Sequence, residues 1–203
     1  MSSVGGVTSP TDYHWSVKPI TGTVPLLAAS YAPSSAIRLV GDVFNTSTGP
    51  RSVTVSAALY SSSGKLLKTV AVHPLIPVLG AHGRSPFVVA TSKPTGFGYV
   101  RFTVTSAAAS RATRLLATSG VTGTDLGSGQ WRISGSAVNT STTTATSALA
   151  VIAIYNPLGT PINATTAAPT TRTLVPKASS PFAATFAGLT AAPNGWGARV
   201  RAV

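Results

Sequence analysis

Part of this chain recurs within it. Residues 37–48 read I-R-L-V-G-D-V-F-N-T-S-T and residues 131–142 read W-R-I-S-G-S-A-V-N-T-S-T, with six of the twelve positions identical at an offset of 94. After one inserted residue the offset becomes 95 and persists. Leu59-Tyr60 with Gly64 then matches Ile154-Tyr155 with Gly159, Leu79 matches Leu174, and Ser85-Pro86-Phe87 matches Ser180-Pro181-Phe182. Gly96-Phe97-Gly98 and Gly195-Trp196-Gly197 stand near the two ends, and Leu26-Leu27-Ala28 and Leu115-Leu116-Ala117 open the two copies. A period near 95 is too long for a solenoid repeat and is the size of a whole domain. The boundary is expected in the small-residue stretch Ala107-Ala108-Ala109-Ser110, giving an N-terminal segment 1–20, a first domain 21–108 and a second domain 109–203.

The local pattern is that of strands. Ile37, Leu39 and Val43 alternate with Arg38 and Asp42. Val53, Val55, Ala57 and Leu59 alternate with Thr54, Ser56 and Ala58, and Val100, Phe102 and Val104 repeat the rhythm. Turn signals at Thr48-Gly49-Pro50, Ser63-Gly64, Pro94-Thr95-Gly96 and Asn156-Pro157-Leu158-Gly159 punctuate the runs. No long segment carries a helical period. Short strands at this spacing predict an all-β fold of two tandem Ig-like antiparallel β-sandwich domains.

Composition narrows the surface. Charged residues are 9% of the chain, against roughly 25% in ordinary soluble domains. Ser, Thr, Asn and Gly must therefore cover the molecule. The charge is one-sided: 15 Lys and Arg face three carboxylates, Asp12, Asp42 and Asp125, for a net +12. Such a chain attracts anionic polymers, although its basic residues are scattered singly and form no run. Cysteine is absent, which excludes disulfides, thiolate metal ligands and thiol nucleophiles. No stretch is long and apolar enough for a membrane-spanning helix. The N-terminus lacks the basic and apolar regions of a leader, so either a leader has been removed or the chain is exported or assembled by another route.

The repeated residues resemble the FxLYD domain. The resemblance rests on Gly41-x-Val43-x-Asn45-Thr46, Ala58-Leu59-Tyr60 with Gly64, and Ser85-Pro86-Phe87. The second copy offers Gly135-x-Ala137-x-Asn139-Thr140, Ala153-Ile154-Tyr155 with Gly159, and Ser180-Pro181-Phe182. The family's usual Asp after the Tyr is replaced by Ser61 and Asn156, both able to serve a turn. The resemblance implies an Ig-like sandwich of prokaryotic exported or surface-attached proteins, with no catalytic residues to carry over.

Chemistry-bearing residues are sparse. Glutamate is absent, and Asp42 is matched by Ser136 in the other copy, so the fold does not demand it. His14, His73 and His82 have no metal-ligand spacing and read as structural or solvated. No catalytic, cofactor-binding or metal set is expected. Three Asn-x-Ser/Thr triplets begin at Asn45, Asn139 and Asn163; the first two occupy the repeated turn.

The copies differ most at Leu149–Tyr155, which is apolar on both faces, unlike its counterpart in the first copy. Leu149, Val151, Ala153 and Tyr155 are therefore candidates for a protein interface with the other domain or another subunit. Tyr13 and Trp15 of the N-terminal segment join them. Arg38, Arg101, Arg132, Arg199 and Arg201, on predicted strands beside aromatics such as Phe102 and Trp131, are candidate contacts for a polyanion. The leading expectation is a non-catalytic extracytoplasmic structural or interaction module, acting at the cell surface as a spacer, scaffold or adhesive unit. The alternatives are a self-assembling subunit of a surface layer, filament or virion, and a cationic module for anionic wall polymers or glycans. Nucleic acid is a less favoured partner.

Overall fold

A computed structural model of the chain describes residues 26–31, 36–189 and 192–203, the first segment through its backbone pairing. Every regular element among them is a strand, and every registered pairing is antiparallel. The strands are β1 (Leu26–Tyr31), β2 (Ala36–Phe44), β3 (Arg51–Ser61), β4 (Leu66–Val72), β5 (Val78–Leu79), β6 (Arg84–Ser92) and β7 (Phe97–Ala108). They continue with β8 (Arg114–Gly127), β9 (Gln130–Val138), β10 (Leu149–Tyr155), β11 (Pro161–Ala167), β12 (Ser179–Phe186) and β13 (Gly195–Ala202). Two compact units result. One runs to Ala112 and takes in Thr160–Ile162; the other is Thr113–Gly159 with Asn163–Val203.

In the first unit β1-β2-β6 form one sheet, while β3 is flanked by β4 and β5 on one side and by β7 on the other in a second. The alternation of β3 has the expected result: Val53, Val55, Ala57 and Leu59 are buried, and the residues between them are half-exposed. Phe87 of β6 meets Phe102 of β7 edge-on at 5.6 Å, so the apolar faces of the two sheets close on each other. Such a pair adds about 0.5–1.5 kcal/mol beyond its area burial. The inward face of β2 brings Gly41 opposite Phe87.

The second unit has the strand order β11-β10-β13-β8-β9-β12. Its long strand β8 serves two partners. Arg114, Leu115 and Leu116 pair with β13, and the residues from Ala117 onward pair with β9. The register of β8 on β9 shifts between Ser119 and Thr122, where Gly120 takes a φ of 59°. A bulge of this kind bends a strand and re-aims its continuation. Gly135 again stands opposite Phe182; a Cβ there would lie 3.0 Å from the ring and 3.1 Å from Val121.

The matched motifs now have physical roles. Gly64 and Gly159 hold φ values of 85° and 71° in the turns after β3 and β10, a conformation that favours glycine. The residues replacing the usual Asp, Ser61 and Asn156, both cap those turns. Ser61 Oγ accepts from Lys65 N at 3.1 Å, and Asn156 Oδ1 from Leu158 N at 3.0 Å.

Candidate functional site

The most strongly repeated residue, the Asn at 45 and 139, is a buried polar hub. Asn45 Nδ2 donates to the carbonyls of Gly49 (2.8 Å), Gly80 (2.8 Å) and Leu79 (3.3 Å), and its Oδ1 accepts from Ser47 N and Ser47 Oγ. Asn139 Nδ2 donates to Thr143 O and Leu174 O, both at 2.8 Å, and its Oδ1 accepts from Ser141 N and Ser141 Oγ. One amide thus closes the turn after β2 or β9 and fastens it to a segment 35 residues on. Both amides are fully engaged and buried, so neither offers a glycan acceptor in the folded chain.

The repeated Ser-Pro-Phe works alongside it. Ser85 Oγ accepts from Ile76 N at 2.8 Å and Ser180 Oγ from Thr171 N at 2.7 Å, while the carbonyls of Pro86 and Pro181 accept from Leu75 N and Thr170 N. Phe87 and Phe182 enter the core.

Of the described candidates for acid–base chemistry, Asp42, Asp125 and His73 each have a structural partner. Asp42 is buried on the far side of β2, and Arg84 donates to its Oδ2 through Nε at 2.8 Å and through Nη2. Arg84 also lies 4.7 Å from the Phe44 ring centroid. Asp125 accepts from Gly127 N at the end of β8, and His73 Nδ1 meets Val53 O at 2.9 Å. His82 and Lys177, 95 residues apart in sequence, share a left-handed backbone with φ of 53° and 65°.

The interface candidates on β10 are placed unequally. Val151 and Ala153 are each only 3% exposed within the chain itself, whereas Leu149 and Tyr155 are half-buried. Cross-strand register sets Leu149 against Arg201 and Val151 against Arg199. The apolar and basic candidates therefore share one face, joined by the half-exposed Leu115 opposite Arg201. The Arg201 Nε is buried with no hydrogen-bond partner among the described residues. Tyr13 and Trp15 lie outside the described residues.

The five arginines expected as one stacking face belong to different sheets. Arg38 lies on β2 between the registers of Tyr31 and Ala90, and burial pushes its guanidinium below its ordinary value. Arg132 is exposed on β9, Arg199 and Arg201 lie on β13, and Arg101 lies on β7. Of the aromatics expected beside them, Phe102 points inward and Trp131 is half-buried. Phe102 is in the core, and Trp131 tilts against Trp196 at 6.0 Å, with Trp196 laid over Gly123.

Arg101 has other aromatic neighbours. Its guanidinium carbon stands 5.3 Å from the ring centroid of Tyr60 and 5.5 Å from that of Tyr99; the two rings stack at 5.1 Å and 10°. Tyr99 drew no notice in the sequence. The signal was the alternation Tyr99-x-Arg101, which puts both on one face of a strand, but the register of β3 on β7 that brings in Tyr60 is long-range.

The chain is thus an all-β protein of antiparallel sheets, and among its described residues no helix is long and apolar enough to cross a membrane. No family model and no curated protein matches it. Among solved structures, a crystal structure of red sea bream transglutaminase is similar with a TM-score of 0.26 and 12% identity, over 84% of this chain and 28% of that one. The chain thus spans little more than a quarter of that protein's length.

Proposed function

We propose that the chain is a non-catalytic, extracytoplasmic structural or interaction module of two tandem Ig-like sandwich domains resembling the FxLYD domain. The observation that carries this reading is the nature of what is duplicated. The residues common to both copies are the buried hubs Asn45 and Asn139, the loop anchors Ser85 and Ser180, and the turn glycines Gly64 and Gly159. These residues fasten loops to strands. The charged groups are mostly unshared, Arg38 and Arg132 being a matched pair, and Asp42 is engaged by Arg84. A gene that doubles a scaffold and leaves its charged side chains free to vary suits a spacer or adhesive unit.

A second reading, a subunit of a symmetric surface or virion assembly, is favoured by the exposed Leu115 and the half-buried Leu149, which flank Arg201 on one face. Self-complementary apolar patches of this kind build closed or open assemblies. Size-exclusion chromatography with light scattering, at low and high salt, separates the two. The spacer reading expects a monomer at both ionic strengths. A large regular species would replace it with the assembly reading, and turnover of any substrate abolished by Asp42→Asn would remove both.

A further inference from the structure

We propose that the outer face of β3 and β7 in the first unit is a binding site for an oxyanion-bearing polysaccharide, with Arg101 as its anchor. The proposal rests on reading the chain as an interaction module and gives that module a ligand class.

The site is built by a local distortion of the sheet. Register shifts fall on both sides of Tyr60, between Leu59 and Tyr60 against β4 and between Tyr60 and Ser61 against β7. Bulges re-aim side chains and are common beside functional sites. Gly98 permits the same closeness, because a Cβ there would lie 2.5 Å from Ser62 N. Together these features seat Tyr99 against Tyr60, and the pair holds Arg101. Cation–π contacts orient the guanidinium without using its hydrogens. Among the described residues nothing accepts a hydrogen bond from Arg101, so its planar fork of donors is preorganised and open to solvent. That fork matches the two oxygens of a carboxylate or sulfate. The second copy has no counterpart: Gly195 stands opposite Tyr155, where the first copy has a second tyrosine. The feature is therefore confined to one domain and is no product of the duplicated scaffold.

The rest of the face indicates what carries the oxyanion. Ser56 and Thr103 form the outward pair beyond Ala58 and Arg101, so small hydroxyl side chains continue the surface from the two phenols. A polyol presents hydroxyls to such a strip. The two tyrosine rings stack on each other with the guanidinium against both, so part of the π surface a nucleobase would use is already engaged. A net +12 draws the polymer in.

The test is affinity electrophoresis of the full chain in gels containing polygalacturonate, dextran sulfate, fully methyl-esterified polygalacturonate or single-stranded DNA. Retardation is expected with the first or second polymer, whose comparison tells carboxylate from sulfate, and none with the esterified one. Arg101→Gln is expected to weaken binding about tenfold, the loss of one hydrogen-bonded charge. Arg101→Lys, which keeps the charge but not the fork, should fall between. Arg172→Gln, an equal charge change at an exposed site in the other unit, should alter binding by less than about twofold. Equal weakening by Arg101→Gln and Arg172→Gln would mean diffuse attraction and overturn the site. So would retardation by DNA alone, or none by either anionic polysaccharide. A monomer in light scattering would still leave the module reading standing after such a failure.

Discussion

Asn45 and Asn139 are the residues on which most local structure converges. Each amide serves both ends of a turn and a distant segment, so truncation leaves buried carbonyls without donors as well as removing bonds. Asn45→Ala and Asn139→Ala are each expected to cost about 2–4 kcal/mol, read from urea unfolding. A change below about 0.5 kcal/mol would be a typical surface effect and would contradict the hub role. Four described residues with a Cβ work against their own backbone: His82, Ser128, Ser147 and Lys177. A left-handed conformation costs a residue with a Cβ roughly 1–2 kcal/mol, part of which glycine's greater freedom in the unfolded chain offsets. His82→Gly and Lys177→Gly should therefore each raise stability, by up to about 1 kcal/mol. A fall in the urea midpoint would show that their side chains hold the turn in another way.

Among the elements, β2 and β10 depart most from a half-buried strand. In β2 the outward residues Val40 and Asp42 are buried along with the inward ones, while the matching Ser134 and Ser136 of β9 are half-exposed. Breaking a buried pair by removing one partner strands the other, and the cost reaches about 3–5 kcal/mol. The second copy holds Ser136 and Ser179 at these positions, so Asp42→Ser with Arg84→Ser should be less destabilising than Arg84→Ser alone, which strands the fully buried Asp42 carboxylate. Additive losses in a double-mutant cycle would show the two to be uncoupled. For β10, Val151→Lys should unfold the second unit or lower its Tm sharply, because the site is buried in the single chain. Leu149→Lys, at a half-buried position, should be milder; equal effects would argue against this distinction.

Legibility followed the same division. Strands, turn glycines and the inward rows of β3 could be read because alternation and turn chemistry are local. The burial of Asp42 could not, because its partner Arg84 lies 42 residues away and the alignment with Ser136 made it seem dispensable. The Arg101 platform was half visible: Arg101 stood out by charge, but the tyrosines that hold it meet only through strand register. The left-handed positions at 82 and 177 carried no glycine to mark them, only the shared offset of His82 and Lys177.

At the scale of the molecule, each unit has its own buried residues and its own copy of the Asn hub. Calorimetry is accordingly expected to show Asn45→Ala lowering one transition and Asn139→Ala lowering another. A single transition moved equally by both would mean that the units unfold together. The charge is likewise a property of the whole chain. Asp42 is paired internally, which leaves Asp125 as the exposed carboxylate side chain among the described residues, and the arginines spread across the sheets of both units. A net charge of one sign keeps copies apart and attracts polyanions.

The divided strand β8 has a consequence for the order in which the chain can fold during synthesis. Leu116 leaves the ribosome near the start of its unit, yet it pairs with Val200. The later part of β8 can form its hairpin with β9 at once, since the two are consecutive. The opening residues of β8 must wait, with Leu115 and Leu116 uncovered, until β13 has been made. Nascent chains of the second unit should therefore carry a half-built sheet for most of their elongation, the interval in which a chaperone or a neighbouring nascent chain has its chance to bind.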